Sequence, residues 1–276
     1  MKLATLRTPT GTVAARLDND TYTEIFGHPD LGALLSESNW RELAETASGT
    51  TYPAKSVDLE AVVPNPSKVL CVGLNYTSHI REMGRPLPSH PTLFAKFADT
   101  LTGPDDPVTA VAEDPELDWE GELVVVIGRL AHRIDETEAA DCIAGYTVAN
   151  DISMRGYQNR TNEWLQGKIW ARSTPVGPVM VTTDDFDPDA ATLRTELNGT
   201  TMQEHPISDL LFTPTQLVAY LSTILPLRPG DLILTGTPGG VGRARTPQVY
   251  LKAGDRVTVT INGIGRLCTP LVKPGA

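Results

Sequence analysis

The chain has 276 residues, of which 40% are hydrophobic and 21% charged, and its formal net charge is −11. That length holds one large domain, or a large one with a small appendage, and the composition is that of a globular protein. The acidic balance argues against nucleic acid or an anionic membrane surface as a partner, and no stretch has the apolar length of a membrane span.

The N-terminus carries no signal-peptide pattern, so a cytoplasmic location is expected. Cys71, Cys142 and Cys268 are odd in number, widely separated, and set in or beside apolar runs. They read as reduced, buried thiols rather than a disulfide framework.

Residues 1–62 read as a small N-terminal α+β unit and 63–276 as the main unit. In the first, 1–10 and 12–17 suit a hairpin across Thr10-Gly11. A helix is expected over 31–47, from apolar residues at 31, 34, 35, 40, 43 and 44. Pro64-Asn65-Pro66 punctuates the boundary, since proline neither continues a helix nor donates within a sheet.

The main unit opens with a strand at 68–73, followed by a short helix ending at Gly84, a proline-rich loop at 85–91 and strand-like residues 92–97. Beyond Leu123 most of the chain is short β-prone runs between Gly and Pro turns, at 177–181, 193–199 and 231–236. Residues 255–265 read as two strands around Asn262-Gly263. One helix interrupts them, over 215–224, with Thr213-Pro214 as its start signal. Few helices and many strands give a β-rich α+β fold with a partly rolled-up sheet.

The stretch Asp118-Trp119-Glu120-Gly121-Glu122 runs into the apolar strand 123–128. Alternation puts Glu120 and Glu122 on one face, where two carboxylates repel and lose hydration. They are either solvated residues at a strand edge or a pair balanced by a proton or a cation. Asp151 ends the next apolar run, 143–150, and reaches the same cation if the two runs are neighbouring strands. Three hard oxygen ligands favour Mg²⁺ or Mn²⁺, with Ca²⁺ a third option.

His79 and Glu82 lie three apart on the short helix, which suits either a surface pair or a dyad that activates water. Asp151, Arg155 and Gln158 have the four-and-three spacing of one helix face, which suits either an Asp–Arg pair or an anion clamp. Lys168 either snorkels or donates to a developing oxyanion. The loop 234–242, rich in glycine, lacks the features of a nucleotide site. It is either a tight turn or a set of donors, with the Thr237 hydroxyl, for a small carboxylate.

Taken in order, these stretches resemble the fumarylacetoacetate hydrolase family. The matching pieces are Val72-Gly73-Leu74-Asn75-Tyr76 with His79 and Glu82, Phe94-Ala95-Lys96-Phe97, and Trp119-Glu120-Gly121-Glu122-Leu123. They continue through Gly145-Tyr146, Asn150-Asp151 with Arg155 and Gln158, Lys168 with Pro175-Val176-Gly177-Pro178, and Thr235-Gly236-Thr237-Pro238 with Gly240-Val241-Gly242. The resemblance spans about residues 66–270.

It implies a distorted β-roll or barrel, a homodimer, and Mg²⁺ or Mn²⁺ on Glu120, Glu122 and Asp151. It makes His79 with Glu82 the dyad that activates water. Arg155, Gln158 and Lys168 become the groups that bind substrate oxygens, and Thr237 faces the substrate carboxylate. Lys96 and Tyr76 are further pocket residues. The implied reaction is hydrolysis of a C–C bond in an acylpyruvate such as fumarylpyruvate, in aromatic-ring catabolism, releasing pyruvate. The alternatives are decarboxylation or isomerisation of a related 2-oxo diacid such as oxaloacetate, or a non-catalytic module. One departure, Ile169-Trp170 where the family often has a small residue and Phe, is expected to narrow the pocket or reshape a lid.

Overall fold

The computed structural model describes residues 1–82, 84 and 86–275, with His79 and Glu82 described in backbone only. Its centre is the strand Gly121–Ile127, buried along its whole length. Valine and isoleucine suit such a strand, because their branched side chains fill both faces of a pleated sheet. Leu123, Val125 and Ile127 enter one core, and Val124 and Val126 the other.

Twelve strands form the sheet around it, in the order Thr51–Pro53, Thr21–Glu24, Gly11–Asp18, Lys2–Thr8, Thr174–Thr182, Ile143–Asn150, Gly121–Ile127, Leu232–Leu234, Val69–Gly73 and Thr92–Lys96. Asp58–Leu59 adds to Lys2–Thr8, and Leu101–Thr102 to Thr174–Thr182. A second, five-stranded sheet follows the order Thr200–Pro206, Thr192–Leu197, Arg256–Ile261, Gly265–Val272 and Val108–Thr109. Its Leu193, Val257, Val259 and Leu267 share a core with Leu123 and Val125. The sheets approach closely at Gly121, where a Cβ would lie 2.5 Å from Thr195 Oγ1 and 2.9 Å from Val259. Glycine therefore separates the two glutamates because nothing larger fits between the layers.

The strands of residues 1–62 belong to the same sheet: Lys2 and Leu3 pair with Val181 and Met180. Arg7 then reaches Glu60 at 2.8 Å and Asp106 at 2.6 Å, and Arg172 meets Asp106 at 2.9 Å. The expected helix 31–47 is two helices, Leu31–Leu35 and Trp40–Glu45. The break falls at Ser36, whose hydroxyl and N–H both donate to the Gly32 carbonyl. A serine bonded to its own backbone competes with helix continuation. The helix Pro214–Ile224 has a capping box, with Thr213 and Gln216 bonding each other's backbone N–H, and buries Leu217, Val218 and Leu221.

Cys71 and Cys142 are buried, whereas Cys268 is only half-buried, and all three are free thiols. No helix among the described residues is long and apolar enough to cross a membrane.

Candidate active site

Glu120 and Asp151 meet because the central strand and its neighbour Ile143–Asn150 end together. Gly121 pairs with Asn150, the Asp151 N–H donates to the Glu120 carbonyl at 2.8 Å, and the Glu120 N–H donates to Asn150 Oδ1 at 3.0 Å. Leu117–Asp118 and Ser153–Met154 pair just beyond, clamping both segments in register. Glu120, Glu122 and Asp151 thus offer oxygens all within 4.8 Å of one another, and all three residues are buried.

Three cations answer these charges. Lys168 Nζ bridges Glu120 Oε2 at 2.5 Å and Asp151 Oδ2 at 2.7 Å. Lys96 Nζ holds Asp151 Oδ1 at 2.6 Å and donates to the Lys168 carbonyl. Arg155 reaches Glu120 Oε1 at 2.6 Å and grips Asp118 at 2.8 and 2.9 Å, while its Nη1 donates to Gln158 Oε1 at 2.9 Å. Asp151 does not lie on a helix with these two. The helix is Arg155–Gln158, and Asp151 precedes the strand pair at 153–154, so its contacts run to the lysines instead.

The electrostatics follow from that wiring. Burial, then Asp151 and Glu120, push the Glu122 carboxyl well above the usual carboxylate range. Its described partner is the Gly236 N–H, at 2.7 Å. Burial opposes ionisation of Asp151 too, but Lys168 and Lys96 outweigh it and hold that carboxyl below its ordinary value. Burial likewise opposes the charge on Lys168 and Arg155, yet the facing carboxylates raise both. The donor set fits a hard divalent cation: the cage offers three carboxylates, and Glu122 needs further positive charge to be buried as an anion.

The cage opens on a cleft of about 290 Å³, lined by Glu120, Glu122, Arg155, Gln158, Lys168 and Thr237 together with Phe94 and Trp164. Lys168 Nζ lies 5.2 Å from the Phe94 ring centre. Lys96 and Tyr76 are fully buried and are not among the cleft-lining residues; the Tyr76 hydroxyl has no hydrogen-bond partner among the described residues. Burial, then Glu122, raise the Tyr76 phenol far above its usual value, so it keeps its proton.

Thr237 Oγ1 accepts from Gln203 Nε2 at 2.8 Å. The loop's backbone donors at Gly236, Gly242 and Arg243 serve Glu122 and Asp118 rather than standing free for a ligand. Gly236 makes its contact at φ +101°, a conformation natural to glycine. Trp170 does not narrow the cleft: it packs edge-on against Tyr157 at 4.9 Å, and Trp164 supplies the bulky wall instead. The helix Thr77–Glu82 follows the cleft-lining Gly73 and Leu74, and the side chains of His79 and Glu82 lie outside the described residues.

Asp118 and Gln203 are the structural residues the motifs did not single out. Asp118 had a signal, its parity with Glu120 and Glu122. Gln203 had none, being on the second sheet, from which it accepts the Gly121 N–H at 3.2 Å and donates to Pro238.

Buried carboxylates and cations converging on one cleft are the architecture of an enzyme site. Residues 68–272 match the family described as fumarylacetoacetate (FAA) hydrolase C-terminal, and the chain belongs to that family. It is 41% identical over 220 residues to oxaloacetate tautomerase fahd2, mitochondrial, of Xenopus laevis, covering 79% of this chain and 69% of that protein. The fold is similar to that of 2-hydroxyhepta-2,4-diene-1,7-dioate isomerase from Mycobacterium marinum, with a TM-score of 0.82, 35% identity and full coverage of both chains. It is also similar to maleylpyruvate hydrolase from Sphingobium sp. SYK-6 in complex with manganese(II) and pyruvate, with a TM-score of 0.82, 26% identity and 99% of each chain covered.

Proposed function

We propose that the chain is a divalent-metal-dependent enzyme acting on a short 2-oxo diacid, interconverting the keto and enol forms of an oxaloacetate-type substrate. The observation that carries this reading is the buried triad Glu120, Glu122 and Asp151, opening on a small cleft that also holds Lys168, Arg155 and Gln158. Those carboxylates would hold Mg²⁺ or Mn²⁺. The bound ion would supply a chelation point for the 2-oxo acid carboxylate and keto oxygen, and Lewis-acid polarisation of the latter.

Enolisation removes a proton from C3 and places negative charge on the C2 oxygen, where protonation gives the enol. Lys168, Arg155 and Gln158 are the cleft donors available to that oxygen. The cleft volume sits at the low end of the roughly 300–1000 Å³ common for ligand pockets, which suits a small substrate. Likeness to the Xenopus tautomerase supports this reading over the alternatives.

A second reading, hydrolysis of an acylpyruvate to release pyruvate, draws on the likeness to maleylpyruvate hydrolase and on the three-residue spacing of His79 and Glu82 along one helix. In either case the unit is proposed to be a homodimer, which sedimentation would test.

The deciding experiment incubates purified protein and Mg²⁺ or Mn²⁺ with oxaloacetate, following the enol absorbance, and in parallel with fumarylpyruvate, analysing products. An EDTA control accompanies each. EDTA-sensitive loss of enol with oxaloacetate intact supports the tautomerase. Pyruvate with fumarate from the second substrate alone moves the assignment to hydrolysis, and pyruvate with CO₂ from the first moves it to decarboxylation.

A further inference from the structure

Among the described residues, three cationic side chains line the cleft: Arg155, Lys168 and Arg243. Two of them face the carboxylate cage. Arg155 is paired with Asp118 and Glu120, and Lys168 with Glu120 and Asp151. Arg243 is exposed and forms no ion pair among the described residues. An unpaired guanidinium at the rim of the cleft, set apart from the cations that face the triad, is placed to receive a ligand's second negative charge while Lys168 and Arg155 face the triad and the 2-oxo end.

Its position is nevertheless fixed relative to the cage. The Asp118 carboxylate accepts from the Gly242 N–H at 2.6 Å and from the Arg243 N–H at 3.1 Å. The same carboxylate holds Arg155, which reaches Glu120 at 2.6 Å. One buried anion therefore ties the backbone of Arg243 to the arginine that touches the cage. The neighbouring Arg245 plays a different part: its guanidinium folds back onto the carbonyls of Met202 at 2.8 Å and Gly240 at 3.3 Å, bracing the loop. The loop is thus held by one arginine and presents the other.

We propose that Arg243 is a specificity-determining residue that binds the carboxylate of the substrate remote from its 2-oxo acid end, selecting 2-oxo diacids over 2-oxo monoacids. This rests on the 2-oxo acid reading given above. The cage alone does not discriminate the two classes, because both carry the same chelating end. Discrimination needs a cation in the cleft apart from the groups that meet that end, and Arg243, which pairs with none of the triad carboxylates, meets that condition.

The test is equilibrium binding to the Mg²⁺-loaded protein of oxaloacetate, 2-oxoglutarate and pyruvate, for the native chain, Arg243→Ala and Arg243→Lys. Melting temperatures confirm that the variants are folded. In Arg243→Ala the better-binding diacid is expected to lose roughly tenfold to a hundredfold in affinity, the scale of a charge-assisted hydrogen bond. Pyruvate should stay within about twofold, and Arg243→Lys should recover part of the loss, since it keeps the charge without the fork. Unchanged diacid binding in Arg243→Ala, or equal losses for diacid and pyruvate, overturns the role of Arg243 while metal-dependent pyruvate binding still stands. Absence of any EDTA-sensitive 2-oxo acid binding in the native chain overturns both readings together.

Discussion

Lys168 occupies an unusual place, and replacing it with Met should separate metal binding from catalysis. Its ammonium is buried and bridges Glu120 and Asp151 at 2.5 and 2.7 Å. The other oxygens of those carboxylates are taken by Arg155 and Lys96, each at 2.6 Å. Every oxygen of two of the three metal-ligand candidates is therefore already neutralised, and a divalent ion competes with these cations for them. Two unit charges about 4 Å apart interact by about 4 kcal/mol at an effective dielectric of 20. Removing the ammonium should therefore raise Mg²⁺ affinity at least about tenfold, even after relaxation consumes most of that term. In the absence of metal, loss of one partner of a buried ion pair should cost about 3–5 kcal/mol in stability. The assay is calorimetric titration of Mg²⁺ and Mn²⁺ into the EDTA-treated native chain and Lys168→Met, with melting curves at zero and saturating metal. The variant should melt lower without metal and gain more from it than the native protein does, while losing turnover. Weaker metal binding in Lys168→Met than in the native chain would refute the competition.

Glu120→Ala should abolish stabilisation by Mg²⁺, and an equal rise in melting temperature for the variant and the native protein would remove Glu120 from the ligand set. Asp106→Asn should cost about 2–3 kcal/mol at neutral pH, because Asp106 accepts from Arg7, Thr102 and the Gly103 N–H. Burial alone would raise the Asp106 carboxyl, but the Arg7 guanidinium, the Thr102 hydroxyl and the Gly103 N–H together outweigh it and hold that carboxyl well below its usual range. The stabilisation is then full above the unfolded value near about pH 4 and is lost as pH falls below it. The gap between the native and variant urea midpoints should accordingly close in acid, and a gap constant from pH 7 to pH 3 would rule this out. Gly121→Ala should destabilise by about 1–3 kcal/mol or more through overpacking against Thr195 and Val259, read from denaturant midpoints.

What the sequence made legible was local. The strand Gly121–Ile127 and the helix Pro214–Ile224 carry their signals in consecutive residues, a β-branched run for one and Thr213-Pro214 at the start of the other. The carboxylate triad was within reach because Glu120 and Glu122 share a face and Asp151 ends a second apolar run. The break at Ser36 was harder, since serine is compatible with a helix and its hydroxyl decides the matter only once it bonds the Gly32 carbonyl. The partners of Lys168 were out of reach altogether. Glu120 lies 48 residues away and Asp151 17 residues away, and only strand pairing brings them together. The same holds for Gln203, which joins the central strand to the Thr237 loop from a different sheet.

The charge arrangement suggests why one lysine is shared between structure and chemistry. Among the described residues, four buried carboxylates, Asp118, Glu120, Glu122 and Asp151, face three buried cations, Lys96, Arg155 and Lys168. Asp118 is satisfied by Arg155 and three backbone N–H groups, so the shortfall of positive charge falls on the triad. Lys168 can bridge Glu120 and Asp151, or it can donate to a substrate oxygen, but its three protons do not serve both fully at once. Neutralisation of the triad by a divalent ion would relieve Lys168 of the first task and leave its ammonium, on the cleft wall beside Phe94, for the second. On this view metal loading and the readiness of Lys168 are a single event, and Lys168→Met is the substitution that uncouples them.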